Sequence, residues 1–247
     1  MSKNFEVLCR IGQEQSTLAT ESAVDVSVIL NDQFTPASGW KASSASHSEI
    51  LKLVHVLFLS SGSAPHHVLF CGVGAGDGSG RVCASAARAL ASEVSSRVCL
   101  VDAKVLGPSL LRSLDLDESA FASSKSVEQR GSVPRQIDRN LWFVSAAHRT
   151  SVGVSHGGVE QMCSTLRDLR KEFGYLLVDA AALGADTTAS VLGQVTDGVV
   201  LVLEANSTRR VTARSAKQTL EAANVRLLGT VLNNRTFPIP EKLYRRV

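Results

Sequence analysis

Apolar runs of four to seven residues recur along this chain, and most are separated by segments long enough for a helix. Val68-Leu69-Phe70-Cys71, Val98-Cys99-Leu100-Val101-Asp102, Leu141-Trp142-Phe143-Val144, Tyr175-Leu176-Leu177-Val178-Asp179, Val199–Glu204 and Leu227–Asn233 are apolar almost throughout, with no alternation. A strand of that kind must be covered on both faces, and intervening helices allow successive strands to run parallel. The pattern predicts an α/β fold: a three-layer parallel sheet with helices on both faces. Ligands of such sheets bind beyond the carboxyl ends of the strands. The glycine-rich loop Gly72–Gly80, Asp102, Asp179 and Asn233 all fall at such ends.

The segments between strands complete the expectation. Amphipathic spacing predicts helices over Glu49–Leu59, with Ile50, Leu51, Val54 and Leu57 on one side, over about 81–94, near Leu110–Leu114, through Val159, Met162, Leu166 and Leu169, and over Val211–Ala223. Leu116–Asn140 reads as polar and irregular. Residues 1–47 read as an N-terminal arm, with Phe5, Val7, Leu8 and Ile11 spaced for a short helix before a Ser-rich linker. Residues 48–247 form the expected domain.

Composition narrows the function classes. A formal charge of +3 and an aromatic content of 5% offer neither a strong basic field nor a base-stacking surface, which argues against a nucleic-acid partner. The five cysteines, Cys9, Cys71, Cys83, Cys99 and Cys163, show no metal-ligand spacing and read as reduced, mostly buried thiols. No signal segment opens the chain, and no apolar run approaches the roughly 18 residues that a membrane span needs. The expectation is a cytoplasmic protein without direct membrane insertion.

Gly72, Gly74, Gly76, Gly78 and Gly80 alternate between a strand and an Ala-rich helix. Glycine there permits positive φ, and several N–H groups can then turn inward as an anion nest at a helix start. A tight turn without a ligand would use the same residues. Gly74, Gly78 and Gly80 also meet the G-x-x-x-G-x-G spacing of short-chain dehydrogenases, with Asp102 where a ribose carboxylate belongs. The catalytic Tyr-x-x-x-Lys of those enzymes is missing, since Tyr175 is followed four residues on by Asp179 and Tyr244 lies too near the end. The P-loop motif G-x-x-x-x-G-K-[ST] is met only in part. Gly76-Asp77-Gly78 fits, but Ser79 and Gly80 stand where the lysine and the magnesium-binding hydroxyl belong.

The series of motifs carries more than any one of them. Val68–Gly72 through Gly76-Asp77-Gly78, then Leu100-Val101-Asp102-Ala103 and Gly107-Pro108-Ser109-Leu110, resembles the cytoplasmic domain of bacterial tyrosine kinases of capsule and exopolysaccharide synthesis. These kinases, CpsD/CapB-like, belong to the deviant-Walker P-loop ATPases with MinD and ParA. Phe173–Asp179, Asp197–Val202, Thr208-Arg209-Arg210 and Leu228–Asn233 continue the likeness in family order, over about 49–233.

The resemblance implies roles by position. Gly76 and Gly78 would form the phosphate cradle, Asp77, Ser79, Gly80, Arg81 and Lys104 would be further nucleotide-binding positions, and Asn233 would contact the base. Asp102 and Asp179 would hold magnesium and serve catalysis, with ATP/ADP and Mg2+ as cofactors. Glu49, Lys52 and His55 occupy the family's E-x-x-R-x-x-R oligomerisation helix, without its arginines. The implied partners are a polysaccharide chain-length-type membrane protein, met at the inner face of the membrane, or further copies of the chain.

The departures from the family bear on activity. Besides Ser79 and Gly80, Lys104 replaces the second acid of a D-x-D motif, Leu106 replaces its arginine, and Ala181 replaces a proline after Asp179. The tail Glu241–Val247 has one tyrosine, Tyr244, in place of a cluster. Losing a charge-assisted phosphate contact removes about 1.5–3 kcal/mol, roughly ten- to a hundredfold in affinity. The expectation is a degenerate, pseudokinase-like protein that binds nucleotide weakly or not at all. The alternative is an active ATPase or protein-tyrosine kinase in which Arg81 or Lys104 replaces the missing cation.

Overall fold

In the computed structural model of the protein, residues 26–29, 44–60, 62–74, 76–104, 110–114, 116, 133–145, 156–185 and 187–235 are described. In chain order the elements are β1 (Val26–Ile29), α1 (Ser44–Val54) continued by a π-helical turn at His55–Leu59, β2 (His67–Gly72), α2 (Ser79–Glu93), β3 (Val98–Asp102) and a 3-10 turn at Leu110–Leu114. They continue with β4 (Arg135–Asp138), β5 (Leu141–Ser145), α3 (His156–Glu172), β6 (Tyr175–Asp179), α4 (Thr188–Gly193), β7 (Gly198–Glu204), α5 (Arg210–Ala222) and β8 (Leu227–Asn233).

The strands form one sheet in the order β1-β8-β7-β2-β6-β3-β5-β4. Every pairing is parallel except β4 with β5. Successive side chains leave a strand on opposite faces, so each fully apolar strand feeds two cores. Val68, Phe70, Leu100, Leu177, Val200 and Val202 pack with α1 and α2 on one face. Leu69, Cys71, Val101, Val178 and Leu201 pack with α3, α4 and α5 on the other. The three-layer α/β arrangement read from the apolar runs is therefore the one observed. Ala84, Ala86 and Ala87, all buried on α2, let that helix lie close against the sheet.

The structure adds elements that the pattern did not suggest. β4 falls in the stretch read as irregular, because only Ile137 of its four residues is apolar and its exposure alternates along an edge. Its turn into β5 is held by Asn140, whose Nδ2 donates to the carbonyls of Val94 and Ser96 at 2.8 Å each. α4 spans six residues, too short for a helical period to register. β1 lies within the stretch read as an arm and pairs with β8 from Val26↔Gly229 to Ile29↔Leu232. α2 begins at Ser79, two residues before the sequence pattern places it. The expected Phe5–Ile11 helix, Cys9, Gly107-Pro108 and the 236–247 tail lie outside the described residues. Among the described residues no helix is long and apolar enough to cross a membrane.

Candidate functional site

β2 ends at Gly72, and the chain then makes a tight reversal into α2. Gly76 (φ 90°) and Gly78 (φ 80°) hold left-handed backbone, which glycine alone adopts without strain. That reversal folds the side chain of Asp77 into the loop. Asp77 is 5% exposed, its Oδ2 accepts the Gly74 N–H at 3.1 Å, and its Oδ1 accepts the Ser79 N–H at 3.2 Å. A Cβ at Gly72 would stand 1.6 Å from Asp77 Oδ2, so the carboxylate lies directly over that glycine. Burial raises the Asp77 carboxyl above the usual range, opposed by the loop N–H groups and by the charge of Lys104.

Asp102 and Asp179 end neighbouring strands and stand opposite each other in the β3–β6 register. Asp179 is 1% exposed. Its Oδ2 meets Lys104 Nζ at 2.9 Å, and its Oδ1 accepts the Ser79 hydroxyl at 3.2 Å. Lys104 Nζ also donates to Ser79 Oγ at 3.1 Å, closing a triangle of ammonium, carboxylate and hydroxyl. Burial pushes the Asp179 carboxyl up to about 7, against the charge and hydrogen bond of Lys104. Asp102 is 5% exposed; its Oδ1 accepts the Lys104 N–H at 3.1 Å, and its Oδ2 accepts the Leu110 N–H at 3.0 Å.

The remaining loop residues close around this core. Gly80 begins the first turn of α2, where a Cβ would come within 2.9 Å of Asp179 Oδ2 and 3.1 Å of Leu110 Cδ1. Asn233, 4% exposed at the end of β8, donates from Nδ2 to the Asp77 carbonyl at 2.9 Å. It also fills the space beside Gly78, where a Cβ would be 2.3 Å from its Nδ2. Arg81 Nη2 reaches Asn234 Oδ1 at 3.4 Å.

The structure thus gathers Asp77, Gly78, Ser79, Gly80, Arg81, Lys104, Asp179 and Asn233 into one contiguous cluster, with Asp102 beside it. In this arrangement they do not fit a magnesium-bound triphosphate. Magnesium needs oxygen ligands, yet Asp179 Oδ2 faces an ammonium and residue 80 brings no hydroxyl. The inward N–H groups of Gly74 and Ser79 already bond a carboxylate.

Sequence reasoning missed one participant in this arrangement and the orientation of another. Asn234, at φ 55°, receives Arg81, and its only signal was its place after Asn233 at a strand end. The inward turn of Asp77 is legible only once Gly72 is seen as the position that admits it.

The architecture is that of the α/β P-loop NTPases. Among solved structures, the chain superposes on the chimerical protein CapA2B2 at a TM-score of 0.63 with 18% identity, covering 79% of this chain and 87% of that one. It superposes on the kinase domain of the Escherichia coli tyrosine kinase ETK at 0.63 with 16% identity, covering 79% of each. A chain of the MinC:MinD cell division complex of Aquifex aeolicus gives 0.50 with 20% identity, covering 73% of this chain and 72% of that one. These are the kinase domains and MinD-type proteins that the motif series resembles, and at such identities the likeness defines the fold. No family model matches the sequence, and no curated protein matches it.

Proposed function

We propose that the protein is a degenerate kinase-like P-loop protein that binds nucleotide weakly or not at all and acts in exopolysaccharide assembly through partner contacts. The observation that carries this reading is the Lys104–Asp179–Ser79 triangle. The residue at the P-loop lysine position is a serine, and the carboxylate at the magnesium position is neutralised by an ammonium 2.9 Å away. Phosphoryl transfer depends almost wholly on positioning and charge, so these exchanges bear on turnover more than on shape. The exopolysaccharide setting, and a chain-length-type membrane protein or a second copy as partner, rest on the motif resemblance. Calorimetric titration with Mg-ATP tests the reading: little or no heat is expected. Turnover at ordinary P-loop rates that disappears in Asp102→Ala would overturn it.

One observation favours a second reading, a working ATPase or protein-tyrosine kinase with Lys104 as its cation. Lys104 Nζ comes within 3.1 Å of Ser79 Oγ, so a positive charge stands beside the residue that replaces the P-loop lysine. Arg81 is a weaker substitute, since its guanidinium reaches Asn234 instead. If this reading holds, Lys104→Met abolishes Mg-ATP turnover while Arg81→Met retains it.

A further inference from the structure

The loop that should hold a phosphate already holds an anion from its own chain. Asp77 bonds the Gly74 and Ser79 N–H groups, with Val73 also contributing its backbone, and lies over Gly72 where a Cβ would collide with its carboxylate. Its main chain is clamped as well, by the Asn233 amide on its carbonyl at 2.9 Å. The Lys104 ammonium, paired with Asp179, also favours the charged form of this carboxylate through its field.

We propose that the Gly72–Gly80 loop is an anion site held shut by Asp77, so that a phosphoryl ligand enters only when that carboxylate leaves. The proposal deepens the reading of the loop as a degenerate phosphate cradle and rests on it. It assigns weak binding to a specific competitor as well as to the missing lysine. A carboxylate tethered two and three residues from the N–H groups it occupies competes at high effective concentration, and a free anion must displace it. An incoming phosphate also meets the charges of Asp102 and Asp179, offset by Lys104.

The test compares wild type with Asp77→Ala in calorimetric titrations with inorganic pyrophosphate and with Mg-ADP. With the N–H groups freed, pyrophosphate is expected to bind at least about tenfold tighter to Asp77→Ala than to wild type. A gain with pyrophosphate alone identifies a phosphate nest, and a gain with both identifies a nucleotide site; either supports the proposal. Equal or weaker binding of both ligands by the variant overturns it.

A second comparison needs no ligand. Gly72→Ala should lower the urea midpoint sharply in wild type, where its methyl meets Asp77, and far less in Asp77→Ala. Equal losses in the two backgrounds overturn the proposal. If Asp77→Ala does not fold, a crystal structure of wild type decides: Asp77 against the Gly74 and Ser79 amides supports the inference, and Asp77 turned to solvent refutes it. Mg-ATP turnover by wild type would instead overturn the degenerate reading, whatever Asp77→Ala does with pyrophosphate.

Discussion

Lys104 is placed to neutralise a carboxylate that has no access to water. With Asp179 1% exposed and the lysine side chain 21% exposed, removing the ammonium leaves a buried carboxyl that must carry an uncompensated charge or take up a proton. Lys104→Ala should therefore destabilise the fold by about 3 kcal/mol, measured by urea denaturation. A loss no greater than that of an exposed lysine such as Lys171 would mean that the pair carries no such role. Gly80→Ser restores the hydroxyl that the family places there, yet its Cβ would crowd Asp179 Oδ2 and Leu110 Cδ1 at 2.9 and 3.1 Å. We expect a cost of roughly 1–3 kcal/mol with no gain in magnesium affinity, read from thermal melts with and without the ion.

At the scale of elements, the opposite end of the sheet is stapled by Asp197. Its Oδ2 accepts the His66 and His67 N–H groups at 2.8 and 2.9 Å, and its Oδ1 meets Arg170 of α3 at 2.9 Å. Burial alone would raise this carboxyl, but the hydrogen bonds from His67 and His66 prevail and hold it well below the usual range. A depressed carboxyl stabilises the fold fully above its unfolded value of about 3.9, and the contribution drains away as pH falls through the folded value. Asp197→Asn should thus cost roughly 1–2 kcal/mol at pH 6, and the gap between its urea midpoint and that of wild type should narrow below pH ~4. A gap that stays constant across that range would count against the staple.

The same elements show what the sequence could and could not reveal. β2, β3, β6 and β7 were legible because a strand buried on both faces is apolar at nearly every residue. β4 was not, since an edge strand needs only Ile137 to face the core. In the site, Asp102 and Asp179 were placed at strand ends by counting alone. The meeting of Lys104 with Asp179 was hidden, because 75 residues separate them and the register of β3 on β6 brings them together.

For the molecule as a whole, β1 closes one side of the sheet. Its four register pairs cover the backbone of β8, which would otherwise present unpaired N–H and C=O groups next to buried Val231. Deleting residues 1–32 should expose that edge and drive self-association, detectable by light scattering as a rise in mass with concentration. A truncated chain that stays monomeric and as stable as the intact one would show that the fourfold pairing is dispensable.

Under the degenerate reading proposed above, the Lys104–Asp179–Ser79 triangle has a bearing on how P-loop turnover could be introduced into this chain. Ser79→Lys by itself would bring a second ammonium against Lys104 and remove the hydroxyl that links Lys104 to Asp179. The Cβ of a serine at position 80 would crowd a carboxylate that Lys104 holds in place. Each of these substitutions is harmful until position 104 has changed, and changing 104 first strands Asp179. The order of steps therefore matters more than their number, and single substitutions scanned for Mg-ATP turnover should all fail where a concerted exchange at 79, 80 and 104 need not.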